Sequence, residues 1–266
     1  EMAGVPYVGC TMPASAIAMD KVLAKQVTQS AGIPSTPWMW FYSRDLSSNH
    51  SSIIKQINQL KYPLFVKPAH LGSSIGITRV EKPEQLNNAL EVACHYDDKV
   101  IVEQGVANLI EVTLPIMGNE APVPAMLEQP MLKSEDFFDF ETKYMQGGKK
   151  GGKKGGAKQG AQGYSKIPAD ISKELSEKAI QLGLDVYKTV GCTGIARVDM
   201  LIDGKTNQVL FNEINPLPGS LYSHNWNQAG ISNVELVQKL VHYGFDRFAQ
   251  KQNISTAFQT NYLKQF

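Results

Sequence analysis

Cysteine is scarce. The chain has three, Cys10, Cys94 and Cys192, far apart and odd in number. That excludes a disulfide framework or a cysteine metal cluster and points to a reducing compartment. His50, His70, His95, His224 and His242 show no H-E-x-x-H spacing, so a histidine-ligated zinc protease is excluded. No G-x-S-x-G elbow occurs, so nothing marks a serine hydrolase. No apolar run approaches the ~18–20 residues that span a bilayer, and the opening residues are not a signal peptide. Neither sign of charge dominates: 26 Lys+Arg stand against 25 Asp+Glu. Nothing in that balance demands a nucleic-acid or membrane partner. A soluble cytoplasmic protein is expected.

What is present is ample apolar material. With 266 residues, 42% hydrophobic and 19% charged, the chain suits one large domain or two smaller ones. The opening Glu1-Met2-Ala3-Gly4-Val5-Pro6-Tyr7 reads as the middle of something, and an upstream piece is expected. Tyr7-Val8 is strand-like. Periodicity predicts a helix over 15–31, closed by Gly32 and Pro34, and another over 51–60. Strands are predicted at 62–68 and 77–80, a helix from Pro83 to about His95, and strands at 99–104 and 110–117. Residues 145–163 are rich in glycine and lysine and must form a loop. A helix over 168–190, strands over 194–202 and 208–215 joined at Asp203-Gly204, and a helix over 233–250 complete the reading. Strands and helices alternate without strict βαβ rhythm, so the class is mixed α+β.

Four constellations carry chemistry. Arg197 and Asp199 lie two apart on one predicted strand, Glu213 and Asn215 two apart on the next. Residues i and i+2 of a strand share a face. If the strands pair, Asp199, Glu213 and Asn215 converge as hard oxygen donors suited to Mg²⁺. The competing reading is an exposed strand face with ordinary salt bridges. Second, Lys67 ends a strand ahead of Gly72-Ser73-Ser74-Ile75-Gly76, a loop whose N–H groups suit phosphate oxygens or a plain hairpin turn. It is neither a Walker loop nor GxGxxG. Third, Glu103 and Glu111 flank an irregular connection, where a carboxylate takes a ribose hydroxyl or an amino group, or is merely solvated. Fourth, Lys143-Tyr144 precede the Gly/Lys segment, as a closing loop or a solvated linker. Its lysines at 149–158 also suit nucleic-acid phosphates, but aromatics are few there.

These pieces occur in one order, and the chain resembles the D-alanine–D-alanine ligases. The matching segments are Gly4-Val5-Pro6-Tyr7-Val8-Gly9, Ala18-Met19-Asp20-Lys21, Phe65-Val66-Lys67-Pro68, Leu71-Gly72-Ser73-Ser74-Ile75-Gly76 and Val102-Glu103-Gln104-Gly105. They continue with Asp139-Phe140-Glu141-Thr142-Lys143-Tyr144, Lys166-Ile167-Pro168-Ala169, Ala196-Arg197-Val198-Asp199 and Asn212-Glu213-Ile214-Asn215-Pro216-Leu217-Pro218-Gly219.

The resemblance implies an ATP-grasp fold: the end of an N-terminal α/β domain at 1–14, a small subdomain at 15–102, and a large one at 103–266 with a closing loop at 143–166. It implies ATP and Mg²⁺, with Mn²⁺ as a substitute, and D-alanine as substrate. Lys21 and Lys67 would bind phosphates, with Lys143 also on the nucleotide. Ser73 would contact nucleotide and substrate carboxylate. Glu103, Gln104 and Val106 would hold the adenine and Glu111 the ribose. Asp199, Glu213 and Asn215 would hold the metal, and Arg197 the transferring phosphoryl group. Tyr144 begins the closing loop and by analogy favours D-alanine over D-lactate. Gly219 and Ser220, followed by Leu221, would lie near the second substrate's carboxylate. Peptidoglycan precursor synthesis and a homodimer are the corresponding expectations.

The chain departs from the family in three places. The acidic residue and histidine of the family's N-terminal domain have no counterpart. The Gly/Lys segment replaces the usual closing-loop sequence. Residues 220–226 replace a Thr/Ser-rich stretch. Alternatives therefore include a ligase for another amino acid or a hydroxy acid, an ATP-binding protein without ligase activity, and a nucleic-acid-binding module.

Overall fold

A computed structural model describes residues 1–131 and 165–254. The architecture is α+β, with two four-stranded antiparallel sheets. Lys143, Tyr144 and the Gly/Lys segment lie outside the described residues. No helix among the described residues is long and apolar enough to cross a membrane, and Cys10, Cys94 and Cys192 are free thiols.

The chain opens without a strand at Tyr7-Val8. The single helix expected over 15–31 is two, α1 (Met12–Ala18) and α2 (Lys21–Ser30). The break falls at Asp20, whose carboxylate accepts the N–H groups of Val22 and Leu23 at 2.9 and 3.1 Å. A side chain that caps a new helix competes with continuation of the old one. Gly32 takes the expected left-handed conformation, φ +76°.

The small sheet has order β1-β4-β2-β3, built from β1 (Trp38–Tyr42), β2 (Leu64–Pro68), β3 (Thr78–Val80) and β4 (Lys99–Gln104). β1 escaped the sequence reading because its Trp-Met-Trp-Phe-Tyr run does not alternate with polar residues. Both its faces are covered, so alternation is not required. Helices α3 (His50–Ile57) and α4 (Leu86–Tyr96) cover one face through Ile53, Ile57, Leu90 and Ala93, packed on Leu64, Val66, Val100 and Val102. A 3-10 turn at Pro83–Gln85 precedes α4. The other face carries Trp38, Trp40, Phe65, Lys67, Ile101 and Glu103, which the register sets side by side.

The large sheet has order β10-β9-β5-β6, with β5 (Leu109–Gly118), β6 (Val123–Pro124), β9 (Gly194–Asp203) and β10 (Gln208–Asn215). Two short strands, β7 (Gln129–Pro130) and β8 (Ser165–Lys166), pair separately. Helix α5 (Lys173–Val190) begins five residues after the expected Pro168, at the Ser172 cap, whose hydroxyl accepts from Leu175 N at 3.3 Å. It buries Ala179, Val186 and Tyr187 against Leu114, Val198 and Met200. Helices α6 (Ser223–Gln228) and α7 (Asn233–Gln252) close the described chain, with Trp226, Leu236 and Leu240 packed on Met117 and Ile195. Between the sheets lies α2. Its Ala24 belongs to the large core, while Val22 packs with Ala69 and Ile101 under the small sheet.

One irregularity orients the large sheet's polar face. β10 and β9 pair Phe211 with Met200, then Glu213 with Asp199, leaving Asn212 as an extra residue. Val209 and Phe211 therefore point into the core, and so does Ile214, on the opposite parity. A β-bulge re-aims every side chain beyond it. In a flattened pairing that kept Asn212, Glu213 would face the apolar core and Ile214 the polar face. Deleting Asn212 removes the extra residue itself, so Glu213 is expected to stay opposite Asp199 and Ile214 in the core, at a cost below about 3 kcal/mol. Thermal unfolding followed by circular dichroism checks this, and loss of the cooperative transition would contradict it.

Candidate active site

A cleft of about 570 Å³ opens between the two sheets. From the small-sheet side it is lined by Phe65, Lys67, Gly72, Ser73, Glu103 and Val106, and from the large-sheet side by Glu111, Leu201, Asn212 and Glu213. Lys21, in the first turn of α2, lies between them. Lys21 and Lys67 thus stand across the cleft from Glu111 and Glu213.

Lys21 is held at both ends. Its backbone N–H donates to Ala69 O at 3.0 Å, and its ammonium donates to Leu71 O at 2.5 Å, with Glu213 Oε2 3.8 Å away. Burial pushes its pKa down, against the pull of Glu213. The loop it grips is tightly wound, with Ser73 at φ 54°, Ser74 at 61° and Gly76 at 70°. At Gly76 a side chain would force its neighbours to shift, since an added Cβ would sit 2.8 Å from the Pro68 ring. His70 braces the loop from outside, with Nδ1 2.9 Å from Asp97 and Nε2 3.3 Å from Asp20.

Behind Lys67 is a buried triad. Glu103 Oε1 lies 2.6 Å from Lys25 Nζ, and Oε2 lies 2.5 Å from Lys67 Nζ. Burial alone would raise the Glu103 pKa; the two ammonium groups reverse this and hold it at about 2. Burial pulls Lys67 down too, but Glu103 raises it above the usual lysine value. For Lys25 burial wins, and its pKa is lowered. Gln104 turns its amide oxygen to Lys61 N–H at 3.0 Å.

On the large sheet, Thr113 stands opposite Asp199, and Asp199 opposite Glu213. Asp199 accepts from Thr113 Oγ1 at 2.8 Å and is gripped by Arg197 through Nε at 2.9 Å and Nη2 at 2.5 Å. Burial and the Glu213 charge nonetheless raise its pKa against the pull of Arg197. Burial, then the Asp199 charge, raise that of Glu111. Asn215, opposite Arg197, accepts Leu217 N–H at 3.1 Å. Crowded carboxylates that resist ionisation suit a hard cation, and Asp199, Glu213 and the Asn215 amide are oxygen donors on one face. The residues fit a divalent ion such as Mg²⁺.

Gly219 and Ser220 fall in a 3-10 turn, Gly219–Tyr222, beside Arg197 rather than in the cleft lining. Ser220, Leu221 and Tyr222 are all left-handed, at φ 53°, 51° and 55°. Each such residue costs about 1–2 kcal/mol. The turn is anchored just beyond: Glu128, 4% exposed, accepts from His224 Nε2 at 3.0 Å and Asn225 Nδ2 at 3.1 Å. The Tyr222 ring lies 5.5 Å from the Arg197 guanidinium.

Lys21, Lys67, Ser73, Glu103, Gln104, Val106, Glu111 and Glu213 thus line one cleft, with Arg197, Asp199 and Asn215 beside Glu213 on the sheet. Sequence reasoning missed Lys25, Thr113, Asn212 and Glu128. Lys25 carried a signal, lying four residues after Lys21 and so on the same helix face. Thr113 carried another, two residues after Glu111 on one strand.

Two α+β units with a phosphate-type loop on one and a carboxylate face on the other define an ATP-grasp fold. A family profile described as "D-ala D-ala ligase C-terminus" matches residues 27–242. The D-alanine--D-alanine ligase of Deinococcus radiodurans is 38% identical over 245 residues, covering 90% of this chain and 68% of that protein. That of Acetivibrio thermocellus is 34% identical over 253 residues, covering 93% of this chain. Among solved structures, the D-alanine-D-alanine ligase from Coxiella burnetii superposes with TM-score 0.72 at 26% identity, covering 94% of this chain and 63% of that one. The VanG D-Ala:D-Ser ligase from Enterococcus faecalis superposes with TM-score 0.75 at 31% identity, covering 91% of this chain and 66% of that one. The chain belongs to the D-alanine–D-alanine ligase family. It spans 63% of the length of the Acetivibrio relative.

The buried triad has a pH signature. Glu103 titrates at about 2 here against 4.5 ordinarily, so its contribution to stability is complete above pH 4.5 and is lost as pH falls toward 2. A Glu103→Gln variant is expected to be less stable at pH 7 and to show a flatter decline across that window, checked by urea denaturation at stepped pH. Parallel curves for both proteins would contradict the assignment.

Proposed function

We propose that this chain supplies the nucleotide and metal site of an ATP-dependent ligase joining two D-alanines for peptidoglycan precursors. The observation that carries this is the convergence of Lys21, Lys67 and the 72–76 loop with Glu213, Asp199 and Arg197 across one cleft. Residues 15–102 form the small subdomain of the clamp and 103–266 the large one, with 143–166 as its closing loop.

A carboxylate is a poor electrophile. The donor carboxylate attacks the γ-phosphorus of ATP, ADP leaves, and an acyl phosphate results. The acceptor amine, having shed its proton, attacks the acyl carbon, and inorganic phosphate leaves. Lys67 and Lys21 offset charge on the phosphate chain, and Arg197 that on the transferring phosphoryl group. Ser73 N–H and hydroxyl cover the phosphates. Glu103, Gln104 and Val106 flank the adenine, and Glu111 meets the ribose. Asp199, Glu213 and Asn215 would hold Mg²⁺, or Mn²⁺, which when bound neutralises phosphate charge. The Gly219–Tyr222 turn, with Gly219 and Ser220, would receive the acceptor carboxylate. Lys143 and Tyr144 open the loop that keeps water from the acyl phosphate.

Phosphate release from Mg-ATP, with D-alanine, L-alanine or D-lactate, tests the reading on this chain and on the complete product of its gene. D-alanine-dependent release from either supports it. Binding of ATP without such release from both would favour a different substrate or an ATP-binding protein without ligase activity. In the active form, Glu213→Gln is expected to lower turnover at least ~100-fold with an unchanged melting temperature, since it removes a metal ligand at constant size. Undiminished turnover would remove Glu213 from the metal site.

A further inference from the structure

Lys25 is 1% exposed and does not itself line the cleft. Its ammonium meets Glu103 at 2.6 Å and lies 5.8 Å from the centre of the buried Phe211 ring. A buried lysine is costly unless it is paired. Glu103 already has a partner in Lys67, at 2.5 Å on its other oxygen. For the fold alone, one lysine would suffice.

We infer that Lys25 is a positioning residue that reserves the charge of Lys67 for the phosphates. A carboxylate bearing one negative charge between two ammonium groups leaves the triad at a net charge of +1, and Lys67 alone of the two lysines reaches the cleft. Lys25 neutralises Glu103 from behind, so Lys67 meets an anion without surrendering its full charge to its neighbour. Glu103 in turn fixes where the Lys67 ammonium sits. Without Lys25, Glu103 and Lys67 form a closed neutral pair, and the wall of the cleft loses one unit of positive potential. The consequence falls on phosphate and spares the base and sugar, since Lys25 reaches neither.

This rests on the nucleotide reading of the cleft, and the test separates the two. Affinities for adenosine and for a non-hydrolysable ATP analogue with Mg²⁺ are measured by calorimetry on this chain. Analogue binding by the unaltered chain is required by the nucleotide reading, and its absence overturns both. Given binding, Lys25→Met is expected to weaken the analogue about tenfold, roughly one charge contact's worth, with adenosine affinity unchanged. Equal loss for both ligands would mean a structural role only, and no loss would mean no role; either overturns the inference. Should Lys25→Met fail to fold, Lys25→Gln keeps a polar contact to Glu103 without the charge and carries the same expectation, an analogue about tenfold weaker with adenosine affinity unchanged. Undiminished analogue affinity there would overturn the inference equally.

Discussion

Glu103 has two carboxylate oxygens, and a lysine from a different element holds each of them. Lys25 comes from α2, Lys67 from β2, and Glu103 lies one residue before the end of β4, where the small sheet hands the chain to the large one. The triad is largely buried, so its ions attract one another more strongly than surface ions do. It is also unforgiving of one loss above all, because removing Glu103 strands two ammonium groups without their partner. Through it the cleft's basic wall, the hinge between sheets and the wedge helix are fixed as one unit. Lys21, one turn before Lys25, inherits its position from the same helix and reaches both the glycine loop and Glu213.

The opposite wall follows a different logic. Asp199, Glu213 and Glu111 repel one another, and Arg197 and Thr113 offset only part of that repulsion. A basic wall with a shared carboxylate and an acidic wall with a shared arginine leave complementary fields across a cleft. A polyphosphate carried with a divalent cation satisfies both at once. The strained turn at Gly219–Tyr222 sits beside the arginine and is tied by Glu128 back to β5, whose Thr113 pairs with it through the backbone.

Much of this was legible in the residues. The strand pair with Arg197, Asp199, Glu213 and Asn215 announced itself by polar residues two apart in apolar runs, and the α+β class by the mixed order of elements. Motif order pointed to the family that the comparisons show. Local pattern failed where tertiary context decides. The helix expected over 15–31 broke because Asp20 caps rather than continues. β1 was hidden because coverage on both faces erased its alternation. Lys25 had only its spacing from Lys21 to mark it, and a lysine on an amphipathic helix reads as solvated until its burial is known. The Asn212 bulge could not be read at all, since pairing register is a property of two strands and not of one.

That bulge has a bearing on how the chain tolerates change. A strand has two faces, and each added or lost residue exchanges them, so β10 behaves like a reading frame with Asn212 as its single frameshift. Insertions in the turn from Gly204 to Asn207 lie upstream of the paired register and alter only a surface loop. Loss of Asn212 restores plain alternation with Glu213 still opposite Asp199, whereas a flattened pairing that kept Asn212 would swap the acidic face for Ile214. Diversity in length among natural relatives should therefore collect at the hairpin tip, where neither face is at stake.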